Sequence, residues 1–216
     1  MAGNLRTFVN KAMDYCFDER HGYSMGGMGY PDFDCSGFIG RCLYEADFNY
    51  PSYHVGTMNM KTPLQNAGFQ ILYPTSLSNL NNIIKPGDIV VMNHLDWTGG
   101  HTFIYMEDVF AYTDYTANSP NTGTVHKVKV EASSSRGNSD PGDSRKNGTG
   151  AYWEVWCHAY WELVTGYSFT DPNDEIYVAH WPGGLDGGTD IMMLKRIRDG
   201  QFNLDSWTNK FYDNGM

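Results

Sequence analysis

The apolar positions near the start of the chain, Leu5, Phe8, Val9, Ala12, Met13 and Cys16, recur at intervals of three and four, which is one buried helix face, and Asn4 stands ready as N-cap. That spacing predicts a first helix with Cys16 in the core. A second set, Cys35, Phe38, Ile39, Cys42 and Leu43, predicts a helix that starts at or just before Cys35 and ends near Ala46. Between the two, His21 to Pro31 holds glycines at 22, 26, 27 and 29, too many for regular structure, and reads as a loop whose backbone can approach a neighbour closely. Thr57 to Gly68 reads as a short helix interrupted at Thr62-Pro63 and closed by Gly68, and Phe69 to Tyr73 as a short extended piece.

The pattern then changes period. Ile83 to Asp88 reads as a turn, with Asp88 serving backbone donors, that launches a core strand at Ile89 to Met92. After a polar loop, His94 to Gly100, a second core strand runs from His101 to Met106, and His126 to Ala132 alternates polar and apolar as a half-buried strand does. Residues 111–123 are turn-rich, and 133–150 carry no large apolar side chain and read as a solvated loop. Trp153 to Val164 and Ile176 to Trp181 have strand-like aromatic and β-branched spacing. Ile191 to Ile197 fits a strand or a helix, and Pro182 to Gly188 reads as an exposed turn.

Composition narrows the class. At 216 residues, with 15% aromatic and 19% charged residues and 24 glycines, the chain suits one elaborated α+β or β-rich domain better than a helical bundle. A net charge of -10 speaks against a nucleic-acid partner, which needs a basic surface. No stretch approaches the roughly 18 apolar residues of a membrane span, and the first residues lack a basic segment followed by an apolar run. The expectation is a protein made soluble in the cytosol. Cysteines at 16, 35, 42 and 157 form no CxxC pair and are expected as free thiols. There is no HExxH or other closely spaced ligand set for a metal, and no phosphate loop; Glu107-Asp108, adjacent carboxylates, read as a solvated turn rather than a glycosidase pair.

The chemistry that these residues can build centres on Cys35. A helix N-terminus beside a sulfur favours thiolate over thiol, and a histidine in reach can take the proton and later deliver it to a leaving amine. Among seven histidines, His101 is the best placed, because Gly99-Gly100 lets the backbone turn and the core strand behind it fixes the ring; His21, His54, His94, His126, His158 and His180 are its rivals. Glu131, ending a strand that can lie beside that of His101, is the candidate to orient the imidazole, with His126 competing for the role.

Three blocks in order, Phe33-Asp34-Cys35-Ser36-Gly37-Phe38-Ile39 preceded by Tyr23 and Gly26-Gly27, then Lys85-Pro86-Gly87-Asp88-Ile89-Val90, then Gly100-His101-Thr102-Phe103-Ile104-Tyr105, resemble the NlpC/P60 superfamily of papain-like cysteine peptidases, most closely its phage-type peptidoglycan amidohydrolases. The resemblance spans roughly residues 5 to 135 and fades beyond Ser135. It implies a papain-like α+β fold with N-terminal helices packed on a central antiparallel sheet, residues 1–135 forming the catalytic core and 136–216 an aromatic-rich extension that completes the same domain. It implies Cys35 as nucleophile, His101 as general base, and a third polar residue one strand on, often His, Asn or Gln in such enzymes and here Glu131. Tyr23 matches the tyrosine that helps hold the oxyanion, and Asp34 and Ser36 match positions lining the stem-peptide pocket. The expected activity is hydrolysis of an amide bond in or at the peptidoglycan stem peptide, as endopeptidase or N-acetylmuramoyl-L-alanine amidase, without metal or organic cofactor. The resemblance also suggests a phage lysin released at lysis or a hydrolase carried on a virion, with tail proteins as partners. A wall-binding or structural virion component of the same fold, without catalysis, is the alternative.

Overall fold

The computed structural model describes residues 3–17, 21–96, 99–112, 123–133, 154–160 and 163–185, with the backbone alone at 16–17, 107–112, 123–128 and 154–160. Cys16, Cys157 and Ile191 to Ile197 therefore fall outside what can be described of side chains or of structure. Helix α1 spans Leu5–Phe17 and α2 Cys35–Glu45; a 3-10 turn at Thr57–Asn59 leads into α3, Lys61–Asn66. Strand β1, Gln70–Leu72, precedes helix α4, Leu77–Ile83, and the strands β2, Ile89–His94, β3, Gly99–Tyr112, β4, Gly123–Ser133, β5, Glu154–Tyr160, and β6, Asp174–His180, follow.

The six strands form one antiparallel sheet in the order β1-β6-β2-β3-β4-β5. Strand β6, late in the chain, lies between β1 and β2, so residues from beyond 135 stand in the interior of the sheet. Both faces of the sheet are covered. On one, Leu5, Phe8 and Val9 of α1 and Phe38, Ile39 and Leu43 of α2 meet Ile89, Val91, Ile104, Val130 and Tyr177. On the other, Leu80 of α4, Ile84, Leu163 and Val164 cover Val90, Met92, Phe103, Tyr105 and Val178. This double covering is why Ile89-Val90-Val91-Met92 is an unbroken apolar run rather than an alternating one.

The local chemistry of each helix start matches its sequence. Asn4 accepts the amide of Thr7 at 2.9 Å and caps α1. Helix α2 begins at Cys35 with Asp34 as cap. Helix α4 was not anticipated: Ser76 caps it by accepting from the Asn79 amide at 3.1 Å, and Leu77, Leu80 and Ile84 give it a narrow apolar stripe within an asparagine-rich segment of weak helix propensity. The turn before β2 does what its sequence suggested and more. Asp88 accepts from the Lys85 amide at 2.8 Å and from His180 Nδ1 at 2.9 Å, while Gly87 and Asp88 exchange backbone bonds with Tyr105. The turn thus pins the start of β2 to β3 and β6 together. Glu107-Asp108 lies within β3, just past a bulge where the register with β4 shifts between Tyr105 and Glu107, and not in a turn.

The Gly-rich loop, 21–33, is strapped to the chain just ahead of α2. Phe33 donates to the Gly22 carbonyl, Ser24 donates to the Phe33 carbonyl, and Asp34 donates to the Gly27 carbonyl at 3.1 Å. The close approach required of this loop falls at Gly37, where a Cβ would stand 1.9 Å from the Gly27 carbonyl oxygen. Alanine in a helix gains about 1 kcal/mol over glycine. Here the clash is with backbone and outweighs that gain, so Gly37→Ala is expected to lose roughly 2 kcal/mol net, read as a lower urea midpoint at unchanged slope.

Candidate active site

Cys35 is the first residue of α2 and is 7% exposed. Its position is set by Asp34, whose carboxylate accepts four bonds: from the Gly37 amide at 2.6 Å, the Gly26 amide at 2.8 Å, the Ser36 hydroxyl at 3.0 Å, and the His54 ring at 2.7 Å. The carboxylate both caps the helix and ties the Gly-rich loop to it. Ser36 also meets His54 Nε2, at 3.2 Å. Asp34 and Ser36 are therefore buried and engaged with each other, and the His54 ring, about a third exposed, is the face that this cluster turns toward solvent.

The loop carries Tyr23 to the same end of the helix. Burial raises the Tyr23 pKa, and the negative charges of Cys35 and Asp34 raise it further, so the phenol stays protonated and able to donate. Cys42, two turns further along the same helix face, is fully buried and its thiol is pushed well up by burial; it belongs to the core.

His101 stands on β3, opposite Met92 of β2. Its Nε2–H donates to Glu131 Oε2 at 2.6 Å, which leaves Nδ1 as the ring nitrogen available to the neighbouring Cys35 side chain. Burial works against the charged ring, but the Glu131 carboxylate and the hydrogen bonds to Cys35 and Glu131 outweigh it and raise the His101 pKa to about 9. Neutral pH therefore leaves the ring as imidazolium. Gly100, expected to free a turn, instead sits in β3 with Thr57 Oγ1, Asn93 Oδ1 and the Met92 carbonyl 2.1–2.8 Å from where a Cβ would be, so it is close packing that requires glycine there.

Glu131 is 2% exposed on β4. His126 lies five residues along that strand, with its backbone opposite Val109 and about 16 Å from Glu131 at the rise of an extended strand. The structure thus places Cys35 beside a His101 ring that is hydrogen-bonded to Glu131, with Tyr23 at the sulfur end, and joins Asp34 and Ser36 to His54.

Two contributors were missed in the sequence. Lys129 is buried, with Nζ 2.8 Å from Glu131 Oε2; its position two residues before Glu131 puts it on the same strand face, the one signal available. Tyr167, in the segment before β6, stacks on His94 at 4.2 Å between ring centroids, and His94 is held by Asp174 at 2.6 Å. Burial raises the Tyr167 pKa to about 12, helped by the charges of Cys35 and Asp174, which puts this ring within electrostatic reach of the sulfur. His94, Tyr167, Asp96, Asp171 and Asp174 line a cleft of about 450 Å³. Among the described residues no group of three His, Cys, Asp or Glu side chains is arranged to hold a metal ion, and no helix is long and apolar enough to cross a membrane.

A helix-borne cysteine beside a histidine, itself held by a buried carboxylate, is the arrangement that cysteine-nucleophile chemistry requires. Residues 20–140 match the NlpC/P60 family, more than half of the chain, and the protein belongs to that family. Its members are generally cell-wall peptidases, usually cysteine peptidases acting on peptidoglycan. No curated protein matches the chain.

The geometry makes Asp34 the residue on which the site is assembled. Asp34→Ala removes the helix cap and strands buried donors, an expected loss of about 2–4 kcal/mol, whereas Asp34→Asn, keeping one oxygen, loses about half as much. Urea denaturation gives both values. Iodoacetamide labelling of Cys35, mapped by peptide mass spectrometry, is expected to slow in the same order.

Proposed function

We propose that the protein hydrolyses an amide bond in or at the stem peptide of peptidoglycan, with Cys35 as nucleophile, His101 as acid and base, and Glu131 as the group that orients the ring. The observation that carries this reading is the single imidazole that is held by Glu131 at 2.6 Å and has the Cys35 side chain as its neighbour. The sulfur attacks the scissile carbonyl as thiolate, with its proton held by His101. The tetrahedral oxyanion is held by the Tyr23 hydroxyl and the Cys35 backbone N–H. His101 then protonates the leaving amine, and water, deprotonated by the neutral ring, releases the acyl group. Asp34 and Ser36, through the His54 ring that they hold, shape the wall of the stem-peptide pocket.

In this reading the fold is papain-like, and residues 1–135 with the extension 136–216 make one domain. The resemblance of the Cys35, Pro86-Gly87-Asp88 and His101 blocks to phage-type amidohydrolases supports a phage-encoded enzyme, an endolysin or a virion-associated hydrolase docked on tail proteins. It would be made in the cytoplasm and act on the bacterial cell wall. The bond is that within the stem peptide for an endopeptidase, or that between muramic acid and L-alanine for an amidase.

Purified protein incubated with sacculi is expected to release fragments with new amine and carboxyl termini, and mass spectrometry of those fragments identifies the bond. Cys35→Ala is expected to lose at least ~10³-fold of the activity, and Glu131→Gln at least ~10-fold, both normalised to folded protein. No new termini from the wild type would sink the hydrolase reading and leave a wall-binding or structural role; full activity in Glu131→Gln with loss in His126→Ala would move the orienting role to His126.

The pH dependence has a definite sign. Protonation of the leaving amine needs the imidazolium, which exists below the His101 pKa, so the acylation rate is expected to fall as pH rises through about 9. Single-turnover rates on a soluble stem peptide between pH 7 and 10 check it; a rate that climbs through that window would contradict the role given to His101.

A further inference from the structure

Lys129 is an unusual residue to find beside such a site. Its side chain is 4% exposed as a residue, it is buried against the sheet, and its ammonium lies 4.6 Å from the centre of the Phe103 ring. Burying an ammonium is costly unless it is paired, and the partner here is the same Glu131 Oε2 that receives the His101 Nε2–H. Two cationic donors on one oxygen stand within the ~6 Å over which charges shift each other's protonation. Strand alternation puts Lys129 and Glu131 on one face of β4, opposite Tyr105 and beside Phe103, which fixes the geometry.

We infer that Lys129 is a positioning residue of the active site: its ammonium holds Glu131 Oε2 in place and offsets the carboxylate charge, so that Glu131 orients the His101 ring without locking a proton onto it. The inference rests on the catalytic reading of Cys35, His101 and Glu131, and goes beyond it in assigning a fourth group. Among the described residues, the charged or titratable groups around His101 are Cys35 from α2, with Tyr23 of the Gly-rich loop and Tyr167 of the segment before β6 beyond it, and Glu131 and Lys129 from β4. The β2 neighbour is apolar Met92, and β5 sets His158 opposite Lys129 in register.

The signs follow from charge. Without Lys129, Glu131 acts uncompensated and the imidazolium is held more tightly. Without the Glu131 charge, Lys129 acts alone and the imidazolium is disfavoured. With both neutral, the two effects cancel. The acid thus gives the ring its direction, and the lysine limits how basic the ring becomes.

The test is the titration of the His101 ring, followed by ¹H–¹⁵N NMR with the resonance assigned by a His101→Gln variant. It needs no substrate, so its outcome is separate from whether the protein cuts peptidoglycan. Lys129→Met is expected to raise the midpoint by about 1 pH unit and Glu131→Gln to lower it by about 1; the double variant is expected to return near the wild-type value, and Lys129→Arg to titrate like the wild type. A Lys129→Met midpoint that is unchanged or lower overturns the inference, whatever happens to stability. Where Lys129→Met fails to fold, the comparison of Glu131→Gln with the double variant decides: a midpoint about 1 unit higher in the double supports the inference, and equal midpoints overturn it.

Discussion

The Asp34 carboxylate holds three parts of the molecule in one arrangement: the first turn of α2, the Gly-rich loop and the His54 ring. The loop buries little apolar surface beyond Tyr23 and Phe33, since Met25 and Tyr30 stand exposed, and glycine gives up the most conformational freedom on ordering. What holds it is polar: backbone exchange with Phe33, the Gly27 carbonyl against Gly37, and the Gly26 amide on Asp34. The position of Tyr23 relative to Cys35 is therefore a consequence of the cap. A shorter acceptor, or one with a single oxygen, could cap the helix or strap the loop, but not both.

The other half of the site depends on the sheet. Cys35 arrives on a helix and His101 and Glu131 on neighbouring strands, so their meeting requires α2 to sit at a fixed height on β3 and β4. Phe38, Ile39 and Leu43 set that height by packing on Ile104 and Val130. The bulge between Tyr105 and Glu107 shifts the pairing of β3 with β4 just beyond the site and leaves Tyr105 opposite Lys129. Charge follows geometry here. Imidazolium and ammonium share one carboxylate oxygen, with the sulfur on the far side of the ring, so a site assembled from four ionisable groups can approach neutrality in a place that water barely reaches.

Much of this was legible in the chain because it was written in short-range patterns. The three-and-four spacing of Leu5 to Met13 and of Cys35 to Leu43 predicted α1 and α2 almost to the residue, and the alternation from His126 to Ala132 predicted β4, which extends to Gly123 and Ser133. The pairing of His101 with Glu131 was open to reading because one lies near the start and the other near the end of two successive strands, which meet when the strands pair antiparallel. What escaped was long-range or weakly patterned. Helix α4 has a cap and a narrow stripe but poor helix formers. Lys129, in the polar phase of an alternating strand, reads as solvent-facing, and only a second layer over that face, from Leu80, Leu163 and Val164, buries the neighbouring surface. The engagement of Asp34 and Ser36 with His54 depends on the chain between α2 and the 3-10 turn folding back, which no local spacing encodes.

The segment recognisable as NlpC/P60 ends at residue 140, yet the sheet does not. Strand β6 pairs with β2 along Ile89 to His94 and with β1 on its other side. Without β6, β2 would expose an edge of unpaired amides and carbonyls, and β1 would have no strand to join. The same segment brings Tyr167 and Asp174 to His94, at the end of β2 that precedes the turn toward His101, and sets the Tyr167 hydroxyl within the field of Cys35. One stretch of chain therefore serves two ends: it closes the sheet that fixes the height of His101, and it supplies, with His94 and Asp96, the walls of the cleft at the end of β2.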